Sequence, residues 1–105
     1  MDSPSYVLKL MFEWGGGSLW CVDDSAFLAF GVGCIEDRLP LTSATRRRLD
    51  ELRAWHDTSL NWEYPPDPGP WPPEEYERFE QAAIAVLECV RAELRGEFEV
   101  VYKPL

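Results

Sequence analysis

A proline-rich stretch between residues 58 and 73 does most to constrain the fold of this chain. It holds six of the nine prolines, and each proline removes a backbone N–H donor and fixes φ at about −65°. Neither a helix nor a central strand can therefore run through residues 65–70, where polyproline II and turn conformations are expected. The stretch must be a loop that connects two structured parts of the chain.

The residues at the start of the chain predict a β-hairpin. Residues 6–14 alternate between apolar and polar side chains, which is the pattern of a half-buried strand. Its apolar face would consist of Leu8, Leu10, Phe12 and Trp14. Three glycines at 15–17 provide a tight reversal into a return strand, so we expect a hairpin over 6–22. A short helical turn at 26–30 follows.

A long helix is predicted at about 43–57, where Thr42 or Ser43 can cap its N-terminus. An apolar stripe at helical spacing would face the core: Leu49, Leu52 and His56. We expect His56 to lie at the C-terminus of this helix, where the helix dipole favours the protonated imidazole.

A second long helix and a final strand are predicted after the loop. Pro72 and Pro73 suit the start of a helix at about 73–95, and residues 97–103 alternate as a strand. These elements predict one α+β domain over residues 1–105. The hairpin and the C-terminal strand would form a small antiparallel sheet, with the two main helices packed on one face. We expect the last strand to pair beside the first.

Composition excludes several classes of protein. The chain has 105 residues, 46% of them hydrophobic, and a net charge of −9. This is too apolar for a disordered chain, and no apolar run approaches the roughly 20 residues of a membrane span. Only 10 lysines and arginines face 19 acids, which argues against nucleic acid. Three scattered cysteines and no basic leader lead us to expect a cytoplasmic protein.

No residue pattern points to catalysis, to a metal or to a cofactor. His56 is the only histidine, so it could act only with a partner such as Cys34. Asp23 and Asp24 could bind a divalent cation with help from Asp37 or Glu36, but adjacent acids are common in turns. We therefore expect no catalytic residue, no metal and no cofactor, and an enzyme is the least favoured class.

The proline-rich loop is also rich in aromatic and acidic residues. Aromatic side chains on a stiffened backbone lose little entropy on binding, which suits a recognition surface. The candidate contact residues are Asp57, Trp62, Glu63, Tyr64, Asp67, Glu74 and Glu75. In the alternative interpretation, Trp62 and Tyr64 pack over the helices and fix the loop to the core. For Trp55 and Trp71, which flank the helices, we favour packing in the core.

The sequence also resembles known proteins. Residues 55–71, WHDTSLNWEYPPDPGPW, resemble a stretch found in small uncharacterised actinobacterial proteins, and residues 12–20, FEWGGGSLW, do so too. That resemblance carries over no catalytic residues. In general character the chain is similar to the immunity proteins of bacterial toxin systems, which are short, acidic, cytoplasmic α+β domains.

These observations predict a non-enzymatic binding protein, most concretely an acidic immunity-type inhibitor of a basic toxin or effector domain. The alternative is a small-molecule or peptide binder that uses the aromatic loop, with a pocket lined by Trp14, Trp20 and Trp62. We expect neither nucleic acid nor a membrane as a partner. Two open sheet edges would allow a homodimer by strand pairing.

Overall fold

A computed structural model describes residues 5–33, 35–64 and 69–104 of the chain. Two long helices and a short one accompany a three-stranded sheet. In chain order the elements are β1 (Tyr6–Leu10), β2 (Leu19–Cys21), α1 (Asp24–Phe30), a 3₁₀ turn (Glu36–Arg38), α2 (Ser43–Asp57), α3 (Pro73–Glu93) and β3 (Phe98–Tyr102). The polyproline conformation was predicted for a segment that includes Pro65, Pro66 and Pro68, and these three residues lie outside the described ranges.

The sheet has the strand order β2-β1-β3. β1 and β2 pair antiparallel, with Leu8 opposite Cys21, as the hairpin prediction requires. β3 pairs with β1 in the same direction, with Leu8 opposite Val100. The α+β class and the position of the last strand beside the first are confirmed, but the predicted antiparallel sheet is wrong for β3, since the sheet is mixed.

The direction of β3 follows from the way the two long helices pack. The Glu93 carboxylate at the end of α3 accepts hydrogen bonds from the Thr42 backbone N–H at 2.7 Å and from the Thr42 hydroxyl at 3.2 Å. The start of α2 and the end of α3 therefore meet. The chain leaves β2 near the start of β1, moves away from that end of the sheet along α2 and returns to it along α3. It enters β3 at that same end, where the Tyr6 N–H donates to the Glu97 carbonyl.

One face of the sheet carries the core. Leu8, Leu10 and Val100 are buried against α2 and α3, and the buried helix residues are Leu49, Leu52, Phe79, Ala83, Val86, Leu87 and Val90. The opposite face is exposed or half-buried and carries Lys9, Glu99 and Val101. Packing of the helices on a single face is therefore as predicted.

α1 packs at the end of the sheet where β1 begins. Asp23 caps this helix, because its Oδ1 accepts hydrogen bonds from the N–H groups of Ala26 at 3.0 Å and Val7 at 3.2 Å. The Phe30 ring meets those of Tyr6 and Phe98, with centroids 5.1 and 5.7 Å away. The Asp23 carboxylate thus ties α1 to β1.

Candidate functional site

The turn between β1 and β2 packs against the connection between α2 and α3. The Gly15 N–H donates a hydrogen bond of 3.0 Å to the Asp57 carboxylate. Gly15 has a φ of 73°, a conformation that glycine adopts without strain. We call this region, formed by residues 11–18 and the described part of 55–76, the aromatic end. It lies beyond the end of β1 that is remote from α1.

A buried histidine lies beneath an exposed tryptophan in the aromatic end. The rings of Trp14 and His56 are stacked, with centroids 5.5 Å apart and planes within 3°. The Trp14 indole N–H donates to the Ser59 hydroxyl at 2.8 Å, which fixes the stack. Trp14 is 51% exposed although the alternation predicted it to face the core. β1 ends at Leu10, so the alternation of a strand does not extend to Trp14.

His56 is only 3% exposed, and its Nδ1 has no hydrogen-bond partner among the described residues. Burial lowers the pKa of this imidazole below its ordinary value, although the neighbouring Asp57 carboxylate acts in the opposite direction. His56 lies at the C-terminus of α2, as expected, but burial of the ring in the core opposes the protonated imidazole that the helix dipole would favour.

Trp55 and Trp71 hold the two ends of the loop to the core, as predicted. Their rings pack together, with centroids 5.9 Å apart, and both contact the buried Phe79. The Trp71 indole N–H donates to the Thr58 hydroxyl at 2.8 Å. The connection is therefore anchored on both sides of its proline-rich part.

Trp62 and Tyr64 lie on the surface of this anchored loop. They are 57% and 63% exposed. The Trp62 indole N–H donates to the Asp57 carbonyl at 2.7 Å, and the Asn61 side chain accepts hydrogen bonds from the backbone N–H groups of Glu63 and Tyr64. Local hydrogen bonds thus order a segment whose two aromatic side chains remain largely in solvent.

The structure brings only some of the predicted contact residues together. Asp57, Trp62, Glu63 and Tyr64 form one group, which the hydrogen bonds above connect. Glu74 and Glu75 lie in the first turn of α3, where Glu75 pairs with Arg78 at 3.3 Å. Asp67 lies outside the described residues.

Trp14 and Trp62 line separate cavities at the aromatic end. One of about 610 Å³ is lined by residues that include Phe12, Glu13, Trp14, His56, Tyr76 and Lys103. Another of about 310 Å³ is lined by residues that include Trp62 and Glu63. The Trp20 indole instead donates to the Met11 carbonyl. Trp14 and Trp62 thus line different cavities rather than the shared pocket that the small-molecule alternative required.

Comparison with known proteins assigns the chain to a family. A family model described as Serratia CdiI immunity protein-like matches residues 6–105. The chain belongs to this family. No curated protein matches it. The resemblance in general character to immunity proteins is thereby confirmed.

In this CdiI immunity protein-like chain, two of the acids considered as metal ligands, Asp23 and Glu36, have structural roles. Glu36 accepts hydrogen bonds from the Ser18 backbone N–H and hydroxyl and from the Leu19 N–H. Burial raises the pKa of Glu36, but these hydrogen bonds outweigh it and hold the pKa below its ordinary value. No group of three or more histidine, cysteine or acidic residues is placed to hold a metal ion within the described ranges. Cys34 lies outside those ranges, so its pairing with His56 is not described.

The outer edges of the sheet in this family member are partly occupied. The Ile35 N–H donates to the Leu19 carbonyl of β2 at 3.1 Å. The Arg91 side chain donates to the Val100 carbonyl of β3 at 2.9 Å. Less free backbone is therefore available for strand pairing than the sequence suggested. No helix among the described residues is long and apolar enough to cross a membrane.

Proposed function

We propose that this chain is an immunity-type inhibitor, which binds a basic toxin domain in the cytoplasm and blocks it. The observation that carries this proposal is the match of residues 6–105 to the CdiI immunity protein-like family. The proposed contact surface is the exposed part of the aromatic end. Its contact residues would be Asp57, Trp62, Glu63, Tyr64, Asp67, Glu74 and Glu75.

Charge supports a basic target. The chain carries 19 acids against 10 lysines and arginines, for a net charge of −9. A field of one sign accelerates the encounter with an oppositely charged partner and disfavours partners of the same sign. A toxin domain with a basic substrate-binding cleft would be drawn to this surface, and the bound inhibitor would cover the cleft.

The exposed aromatic side chains would supply most of the affinity. Trp62 and Tyr64 present large apolar areas to solvent from a loop that hydrogen bonds already order. Little further ordering is needed when a partner covers them, so more of the contact energy is retained. Tryptophan and tyrosine are the residue types most often found at the energetic centre of an interface.

Removal of these two side chains tests the proposal. The partner to use is the purified protein encoded next to this chain, with affinity measured by isothermal titration calorimetry. We expect the Trp62→Ala, Tyr64→Ala double variant to weaken binding by roughly 30-fold or more, because a single aromatic anchor contributes about 2 kcal/mol or more. Leu28→Ala is the control, since Leu28 is exposed on α1 at the other end of the sheet.

The outcomes separate the parts of the proposal. Unchanged affinity of the double variant would move the contact surface away from the aromatic loop. If the neighbouring protein does not bind at all, and the chain does not protect cells that express it, the immunity function itself is contradicted. Circular dichroism of the double variant checks that it is folded.

A further inference from the structure

The cavity beside Trp14 is not lined by any of the proposed contact residues. Its volume of about 610 Å³ is within the range of sites that hold a small ligand or an inserted side chain. Two aromatic side chains on its lining are open to solvent, Trp14 at 51% and Tyr76 at 38% exposure. The cavity therefore offers a binding site beside the surface that we assign to the toxin.

A residue that lines this cavity has a buried polar atom without a partner. His56 lines the cavity, and its Nδ1 accepts or donates no hydrogen bond within the described part of the chain. A buried polar atom without a partner lowers stability, so such atoms are rare and frequently functional. A neutral imidazole always has one nitrogen that can accept a hydrogen bond. The ring is thus suited to a ligand that brings donors.

The remaining groups of the lining favour a planar cation. The ring faces of Trp14 and Tyr76 attract positive charge through their quadrupoles. The Glu13 carboxylate lines the same cavity, as does the single ammonium group of Lys103. Asp57, next to His56, and Glu74, two residues before Tyr76, add two further acids beside the lining residues. A guanidinium group combines a flat shape, five donors and a fixed charge, and it stacks on aromatic rings.

We propose that this cavity binds the guanidinium group of an arginine side chain that the toxin presents. The group would stack on Trp14 and Tyr76, pair with Glu13 and donate a hydrogen bond to His56. This rests on the function proposed above, because the arginine would belong to the same partner. It adds one specific contact beside the Trp62 and Tyr64 surface and identifies the chemistry that the partner must bring.

The chemistry can be tested without the toxin. N-acetyl-L-argininamide is titrated into the whole chain, and the Trp14 indole N–H and the His56 imidazole signals are followed by NMR. We expect saturable shifts at both residues at millimolar ligand, since a single side chain binds weakly on its own. N-acetyl-L-citrullinamide, which has nearly the same shape without the charge, should produce much smaller shifts. Equal shifts with both ligands, or none with either, would overturn the proposal.

Substitutions of Glu13 and Lys103 should change the Kd for argininamide in opposite directions. Glu13→Gln should raise the Kd for argininamide roughly threefold, as loss of an exposed ion pair would. Lys103→Met should lower that Kd, because it removes a like charge. Trp14→Ala should raise it about tenfold through loss of the cation–π contact, and Glu88→Gln on the exposed side of α3 should leave it unchanged. A site for anions would give the reverse signs for Glu13 and Lys103, and that result would refute an arginine site.

The two proposals fail in different ways. If the toxin binds and depends on Trp62 and Tyr64 while argininamide does not bind, the arginine site is refuted and the immunity function is retained. If argininamide binds with the expected signs and the neighbouring protein does not, the cavity chemistry is supported and the choice of toxin is contradicted.

Discussion

At the scale of single residues, burial has altered the chemistry of His56. Its pKa in the folded chain is lowered by desolvation, against an opposing effect of Asp57. Glu13 and Lys103, which line the same cavity, contribute opposite charges. Below the ordinary pKa of 6.5, the unfolded chain therefore binds more protons at this residue than the folded chain does.

The expected consequence is a loss of stability on the acid side of neutrality. The contribution of His56 is complete above pH 6.5, decreases as the pH falls through that value, and levels off below the lowered pKa of the folded state. Urea unfolding at pH 8.0, 7.0, 6.0 and 5.5 measures this slope. In His56→Phe, which keeps an aromatic ring beside Trp14, the slope in this window should be markedly smaller. An unchanged slope would show that other groups cause it.

The residue scale also shows where sequence patterns succeed and fail. Leu49, Leu52 and His56 were predicted as one buried stripe and are all buried, because helical periodicity continues to the end of the helix. Trp14 was predicted to be buried and is exposed, because the alternating pattern continues past the last residue of β1. Tyr76, near the start of α3, is partly exposed although the core residue Phe79 follows it on the same helix. Its exposure depends on how the loop covers the helix, which no local pattern encodes.

At the scale of elements, the Glu36 carboxylate holds the 3₁₀ turn against the β1–β2 hairpin. It accepts hydrogen bonds from the Ser18 N–H and hydroxyl and from the Leu19 N–H, so its removal would leave buried donors without a partner. We expect Glu36→Gln to reduce the free energy of unfolding by about 2 kcal/mol, as for a hydrogen-bonded charged group. Urea denaturation measures this loss. Asp37→Asn, an exposed neighbour in the same turn, is the matched control.

Glu36 and His56 both make stability fall in acid, but for different reasons. Hydrogen bonds lower the pKa of Glu36 against the effect of burial, whereas burial itself lowers the pKa of His56. Burial raises the pKa of Glu36, but hydrogen bonds from Ser18 and Leu19 more than compensate, so the folded pKa lies below the unfolded value of 4.5. Its stabilising effect is therefore present above pH 4.5 and is lost as the pH falls through the folded pKa. If Glu36→Gln and the wild type lose stability equally between pH 5 and pH 3, Glu36 does not supply this dependence.

Element boundaries were more predictable than strand direction. The helix at about 43–57 was predicted with Thr42 or Ser43 as its cap, and it is the Thr42 hydroxyl that accepts a hydrogen bond from the Thr45 N–H, at 3.2 Å. Capping chemistry is local, so a single sequence reveals it. The direction of β3 depends on the return of α3 along α2, a contact between Thr42 and Glu93 that is distant in sequence. Between the hairpin and β3 the chain runs the length of the domain twice, once along α2 and once back along α3. Counting these two passes would have indicated that β3 is parallel to β1.

At the scale of the whole molecule, the candidate surface was predictable only in part. Composition and proline content identified the segment that contains Trp62 and Tyr64, and the structure leaves both exposed. The cavity beside Trp14 could not be predicted, because it forms where the hairpin turn, the end of α2, the start of α3 and the residues after β3 meet. Family membership came from the chain as a whole and not from any single motif.

The net charge of −9 leads to a prediction about the rate of association. If electrostatic attraction steers the inhibitor to a basic toxin, salt should slow association and leave dissociation nearly unchanged. Raising the ionic strength from about 0.1 M to 1 M shortens the screening length from roughly 10 Å to 3 Å. Stopped-flow fluorescence should then show an association rate at least about tenfold lower. An association rate that does not depend on salt would contradict steering.

Two pairs of substitutions determine whether the whole charge or the local surface matters. Glu63→Gln with Glu74→Gln neutralises acids of the aromatic end, whereas Glu88→Gln with Glu99→Gln neutralises exposed acids elsewhere. Each pair changes the net charge by the same amount, so steering by total charge alone predicts equal slowing. Because the field of a nearby charge dominates within a screening length, we expect the first pair to slow association several-fold more. Equal rates for the two pairs would show that total charge alone steers association and would contradict local steering by the aromatic end.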